Sequence, residues 1–446
     1  MAKTPRKITG RTTMDAVTTK TLEHLRVCAV GAAAAFGCLF TMTSQADAQS
    51  RFGCCGLEVA HVPSVEGLDG FFFRVQPDLA TFHAMTDQVI GSVAAISQAL
   101  EARGTELIFV PLPTKAHVLP MKLGPEAEKY AYDADLAATI YEDQKARLSD
   151  AGVAVVDARR AFLGSEFAEQ MFFKTDPRMT NHGLRVLTEA IAEERADWPL
   201  ADGFVTSEGE PLALASLAHD VLQRSCLSDL PFVETTAFET VAQGGDTNLD
   251  AAPLVVFAGP SEMTDPALNL AGFLSDVAGR RAGVIGGETA FSALTAYVTS
   301  DAFRGSPPDV LIWAVPVWEN LALGGDQPFR EAVAAIEDVC VADLDKGLAG
   351  ADRLRVALAE ATFSAVDTLM LENSGAATDT AVFHFVGVNG EVRSRAVVRS
   401  GETVASGRFY MPLSGLWEAG VAYVDIETPL TGGALPVVAL CRGAEG

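Results

Sequence analysis

Between residues 106 and 315 the chain repeats one pattern: a short apolar run, then a longer stretch with helical spacing. The runs are Glu106 to Pro111, Val153 to Val156, Leu254 to Phe257 and Asp309 to Val315. Helical periodicity fills Asp78 to Arg103, Asp133 to Ala151 and Asn181 to Arg195. Runs this short, bounded by turn residues and almost without polar alternation, suit strands buried on both faces. Strands alternating with helices make an α/β fold with a parallel sheet and flanking helices.

Before this block, Cys54 to Pro63 reads as an irregular lead-in, and Val65 to Phe73 as a turn followed by an aromatic strand. After it the pattern changes. Ala381 to Val388, Val392 to Val398 and Trp417 to Ile426 are strand-like, with glycine-rich breaks and no helix between them, as in a β-sandwich of about a hundred residues. The expected organisation is an α/β domain over 49–338, a linker over 339–362 that can be helical, and a β-sandwich over 363–446. A chain of 446 residues with 49% apolar composition can bury a core in each.

The first 48 residues read as an export signal. Lys20 and Arg26 precede an apolar run from Val27 to Phe40, and Ala46-Asp47-Ala48 offers small residues for cleavage. The run is shorter than the ~20 residues of a spanning helix, so the expected destination is the periplasm. Its removal takes away six basic and three acidic residues, moving the formal net charge from −25 to −28. Such a surface disfavours nucleic acid and anionic membranes as partners. Cys54, Cys55, Cys226, Cys340 and Cys441 remain, and an oxidising compartment permits disulfides among them.

Three segments offer chemistry. The buried strand ending in Gly259-Pro260-Ser261 sets Ser261 where open α/β sheets place reactive groups, although a serine after Gly-Pro also caps turns. Asp176 and His182 stand close in sequence beside a helix start at Thr180, so they can form the carboxylate and imidazole that a serine nucleophile needs. Equally, Asp176 can pair with Arg178 or Lys174 and His182 can be a first-turn surface residue. Gly286-Gly287 reads as a glycine turn opening a helix, whose free N–H groups are oxyanion candidates.

Taken together, these segments resemble the alginate O-acetylation proteins AlgX and AlgJ of the SGNH-hydrolase-like superfamily. The resemblance rests on Val65-Glu66-Gly67-Leu68-Asp69-Gly70-Phe71, Phe109-Val110-Pro111-Leu112-Pro113-Thr114-Lys115, Lys174-Thr175-Asp176, Gly259-Pro260-Ser261, and the long segment Ser300 to Pro316. It implies an SGNH-hydrolase-like domain followed by a β-sandwich carbohydrate-binding module, with no cofactor and no metal. It also implies O-acetylation of an exopolysaccharide, anionic or neutral, from an acetyl donor, alongside export or acetylation partners. Ser261 would be the nucleophile and Asp176 the orienting carboxylate. Two disulfides follow from the same likeness: Cys54 or Cys55 with Cys226, and Cys340 with Cys441. The family pattern Asp, any residue, His, Trp is broken, because Asp176 is followed by Pro177, Arg178 and Met179. Arginine cannot take a proton from serine. Either His182 reaches Ser261 from a shifted position, or catalysis is lost and polymer binding kept.

Overall fold

The computed structural model of the chain describes residues 50–443, apart from 81–84, 196–197, 199–202, 244–253, 359–362, 374–377, 400–405, 418–419 and 431–434. The expected export signal, 1–48, lies outside the described residues.

A hairpin of β1 (Ser64–Glu66) and β2 (Phe72–Arg74) precedes the central sheet. That sheet contains β3 (Glu106–Leu112), β4 (Ala154–Val155), β7 (Val255–Pro260), β8 (Ala282–Gly287) and β9 (Val310–Pro316), in the order β4-β3-β9-β7-β8. Every pairing in it is parallel. The apolar runs are doubly buried because alternate residues feed two cores. Ile108, Val110, Phe257 and Ile312 pack under α3 (Asn181–Glu193) and α4 (Leu270–Ala278). Leu107, Phe109, Val256 and Trp313 pack under α1 (Asp87–Ala102), α5 (Ala290–Val298) and α6 (Gln327–Glu337). The one indole in this core keeps its N–H satisfied by donating to the Ala290 carbonyl at 2.9 Å. Helix α2 (Ala134–Asp150) covers the β4 edge, with Asp133 capping its first turn.

An antiparallel pair, β5 (Phe204–Ala213) with β6 (Glu234–Ala242), stands apart from the main sheet. The sequence reading missed it, because β5 is mostly exposed, β6 mostly half-buried, and neither carries an apolar run.

The C-terminal region is a sandwich of two antiparallel sheets. One has the order β10-β18-β13-β16, from β10 (Cys340–Asp343), β13 (Thr368–Glu372), β16 (Arg408–Pro412) and β18 (Val437–Cys441). The other runs β11-β12-β17-β14-β15, from β11 (Lys346–Leu348), β12 (Arg353–Ala357), β14 (Thr380–Gly387), β15 (Val392–Val398) and β17 (Val421–Glu427). Phe383, Phe385, Phe409 and Ile426 fill the space between them. The segment expected to be a helical linker, 339–362, instead carries β10, β11 and β12, so the β region begins at Cys340. Arg353, Leu354, Arg355 and Val356 alternate exposed and buried, a period of two that reads as a strand once the sheet is known.

The sandwich is fixed onto the α/β layer. Met370, Tyr410 and Cys441 join the core formed by α1 and α6. The buried Arg399 guanidinium donates to Glu331 of α6 at 2.6 Å. Cys340 and Cys441, opposite each other on β10 and β18, form a disulfide. Cys54, rather than Cys55, bonds Cys226. This second bridge sits among Phe52, Leu57, Phe72, Leu222 and Leu230 and ties the N-terminal lead-in to the α/β domain. No described helix is long and apolar enough to cross a membrane.

Candidate active site at the carboxyl edge of the parallel sheet

Strand β7 leaves the sheet through Gly259 and Pro260, and Ser261 opens a single 3-10 turn, Ser261–Met263. The carbonyl of Ser261 accepts from the N–H and the hydroxyl of Thr264, each at 3.0 Å, which closes the turn. Its own side chain is exposed and makes no hydrogen bond among the described residues. The hydroxyl therefore caps nothing and is available to a ligand.

Gly286 and Gly287 are not a turn. They end β8 and pair with Gly259 and Pro260. A Cβ on Gly286 would stand 2.9 Å from the Ser261 Cα and 2.5 Å from the Thr264 hydroxyl, so glycine is needed for β8 to pass beside the serine turn. Helix α5 starts three residues later, capped by Thr289 and Ser292. Its first N–H groups already have an anion: Ala290 and Phe291 donate to the Glu319 carboxylate at 2.9 and 3.4 Å. The oxyanion role expected of this helix start is thus filled by a side chain of the protein itself.

Asp176 and Arg178 arrive on a tight loop. Phe173 N–H donates to the Arg178 carbonyl at 3.2 Å, Phe172 bridges Met179, and Thr180 caps α3 by accepting from Gly183 N–H at 3.1 Å. Arg178 Nε and Nη2 donate to the two oxygens of Asp176 at 3.0 and 2.9 Å, and its backbone N–H adds a third bond at 2.8 Å. Nη1 donates to Asp265 at 2.7 Å and Nη2 also to the Ala215 carbonyl at 2.9 Å. Burial opposes the Asp176 charge, yet the bonds from Arg178 and Ser216 outweigh it and hold the carboxyl below its ordinary range.

Beneath this loop lies Lys115, 2% exposed. Its ammonium donates to the carbonyls of Phe72, Lys174 and Asp176 at 3.0, 3.3 and 2.9 Å, so all three protons have acceptors. Burial lowers its pKa to about 8. Arg74 lies nearby, donating from its backbone to Asp78 at 2.7 Å and standing over the Trp318 ring at 5.9 Å. Arg74, Lys115, Arg178, Trp318 and half-buried Glu262 line a cavity of about 30 Å³. Burial, foremost, and the charges of Asp176 and Asp78 push the Glu262 carboxyl up, while Arg74 and Arg178 pull it down.

His182 is elsewhere. Its Nε2 lies 3.2 Å from the Thr236 hydroxyl, and its ring stacks on Phe167 and meets the edge of Phe238. Among the described residues no hydrogen bond joins it to Asp176 or Ser261. The imidazole beside the Asp176 loop is His219, whose Nδ1 is 2.9 Å from the hydroxyl of Thr175. Its neighbour Ser216 reaches the Asp176 carboxylate. The sequence reading missed Ser216, His219 and Glu262. The first two are some forty positions from Asp176 with no motif to link them, whereas Glu262 carried a signal in its place directly after the candidate serine. Among the described residues no group of three metal-ligating side chains is gathered.

Residues 65–317 match the family model for the SGNH hydrolase-like domain of the acetyltransferase AlgX. The chain is 28% identical over 288 residues to the alginate biosynthesis protein AlgX of Pseudomonas aeruginosa, covering 62% of this chain and 60% of that protein. It is 28% identical over 244 residues to a protein named "Probable alginate O-acetylase AlgJ" of Pseudomonas fluorescens, covering 50% of this chain and 59% of the other. The chain thus spans about 60% of the length of these curated relatives. A solved structure of Pseudomonas aeruginosa AlgX superposes with a TM-score of 0.71 at 25% identity, covering 86% of this chain and 95% of that one.

Proposed function

We propose, from the premise that this chain belongs to the SGNH hydrolase-like AlgX acetyltransferase family, that it acts in the O-acetylation of an alginate-like exopolysaccharide in the periplasm. Ser261 is the acyl carrier in this reading. Its hydroxyl takes an acetyl group from an ester or thioester donor and hands it to a hydroxyl of the polymer. The observation that carries the reading is a free, exposed hydroxyl on a one-turn helix at the carboxyl end of β7, inside the family's domain. That is where doubly covered parallel sheets present reacting groups. The β-sandwich from Cys340 onward is read as the carbohydrate-binding module, and an export or acetylation assembly as the partner.

The experiment is an acetylesterase assay on the wild-type protein and Ser261→Ala. Turnover that disappears with the hydroxyl supports the reading, and turnover that persists without it removes Ser261 from the chemistry.

One observation favours a second reading. Arg178 stands at the position where the family pattern carries histidine, and it occupies both oxygens of Asp176. A guanidinium that never deprotonates cannot serve as the base. A protein that binds polysaccharide or partners without chemistry would tolerate this exchange. Polymer binding with no Ser261-dependent turnover would favour that reading.

A further inference from the structure

We propose that Trp318 and Phe232 are the acceptor platforms of the serine site, two exposed aromatic rings on which pyranose rings of the polysaccharide stack as the polymer passes Arg178. The inference rests on the reading of the protein as a polysaccharide O-acetyltransferase and deepens it by assigning residues that hold the acceptor.

Strand register sets Trp318 beside the serine. Ala258 of β7 pairs in parallel with Trp313 of β9, so Ser261, three residues on, and Trp318, five residues on, leave the sheet at the same edge. The indole lines one cavity with Arg178 and with Glu262 and Met263, the two residues that complete the Ser261 turn. Its backbone is held on both flanks. Val317 N–H donates to the Leu112 carbonyl at 3.0 Å and Glu319 N–H to the Pro316 carbonyl at 2.8 Å, while the Glu319 carboxylate is fixed on the start of α5. The ring is nevertheless 36% exposed.

Phe232 approaches Arg178 from the β5–β6 pair. That pairing continues one step past Ala213 and Glu234, where Leu214 N–H donates to the Val233 carbonyl at 2.8 Å. The next step sets Phe232 opposite Ala215, whose carbonyl accepts from Arg178 at 2.9 Å. On the other flank, the Pro231 carbonyl accepts from the hydroxyl of Thr175, the residue before Asp176, at 3.3 Å. Both neighbours of Phe232 are thus pinned, and its ring stands 83% exposed, the most exposed phenylalanine among the described residues.

A soluble fold gains nothing by holding apolar rings in water on a fixed backbone, whereas a ligand that covers them gains their burial. A pyranose offers an apolar face of C–H bonds and a rim of hydroxyls, so a flat aromatic ring takes the face and leaves the rim to hydrogen bonds. A repeating polymer can meet two such rings at once, and the second contact is then made at high effective concentration. Stacking on the C–H face requires no cation, which suits a chain of formal net charge −25.

The test is equilibrium binding of an alginate hexasaccharide and of cellohexaose to the full chain carrying Ser261→Ala, read by calorimetry and tryptophan fluorescence. At least one hexasaccharide should bind. Adding Trp318→Leu or Phe232→Ser should each weaken binding by about tenfold, and Trp318→Phe, which keeps an aromatic face, should recover most of it. The emission change on binding should vanish in Trp318→Leu although Trp198, Trp313 and Trp417 remain. Variants that bind as tightly as their parent, or a parent that binds neither hexasaccharide, overturn the inference. Binding is read without turnover, so a Ser261 that never carries acetyl removes the acyl-carrier reading and leaves this assignment standing.

Discussion

Arg178 and Asp265 meet at 2.7 Å across 87 positions of sequence, so one guanidinium ties the loop that carries Asp176 to the segment leaving the Ser261 turn. Arg178 acts here as a staple. Its remaining bonds go to Asp176 and the Ala215 carbonyl, which makes the loop, the serine turn and the segment before Ser216 one polar unit.

Arg178→Ala is therefore expected to destabilise the fold. Asp176 is 3% exposed and would keep its charge without its main counter-ion. Removing one partner of such a buried pair costs about 3–5 kcal/mol. Urea unfolding measures this as a fall in the midpoint at unchanged slope.

Arg178→His creates an Asp-x-His spacing with Asp176. An imidazole there has Asp176 to orient it and, under the reading of Ser261 as acyl carrier, supplies a base, so fluorophosphonate labelling of Ser261 should accelerate. Its rate should rise with pH through the imidazole range, near 6.5 and higher if Asp176 stabilises the charged ring. A rate unchanged from the wild type would show that the position no longer communicates with the serine.

Glu262→Gln should raise the melting temperature at neutral pH. The carboxyl is raised in the folded protein, so the folded state holds this proton at pH values where the unfolded chain has released it. Stability from this group is complete below the ordinary glutamate value of about 4.5 and is lost as pH climbs through the folded pKa. Calorimetry should show the variant more stable than wild type above that range and equal to it at the acidic end.

His182→Ala should leave Ser261 labelling unchanged, because the ring is committed to Thr236, Phe167 and Phe238. Its cost is local packing at the start of α3. A large loss of labelling would mean that the imidazole reaches the serine by a route the structure does not contain.

Much of the central fold was legible because doubly buried strands have so few ways to be written. Glu106 to Pro111 and Asp309 to Val315 read directly as β3 and β9, and helix α3 begins at Asn181 behind its Thr180 cap. The antiparallel pair of β5 and β6 was not legible, since residues 214–233 separate its strands and neither carries an apolar run. Nor was β8, whose Gly286 and Gly287 look like a turn until the neighbouring Ser261 backbone shows why no side chain fits. The segment 339–362 reads as a linker that can be helical because Ala, Leu and Arg favour helices, and the pairing of Arg353 to Ala357 with β17 outweighs that preference. In the site, Ser261, Asp176 and Arg178 were legible one by one. Their partners Asp265, Ser216 and Lys115 come from distant segments, and only folding brings them together.

The most direct test of the account is mass spectrometry of the protein quenched during reaction with an activated acetyl ester. The account predicts a peptide containing residue 261 that gains the mass of one acetyl group, absent in Ser261→Ala and discharged when the acceptor polysaccharide is added. Acetyl groups found only on lysines, or on a Ser261 peptide that the polymer cannot discharge, would contradict it.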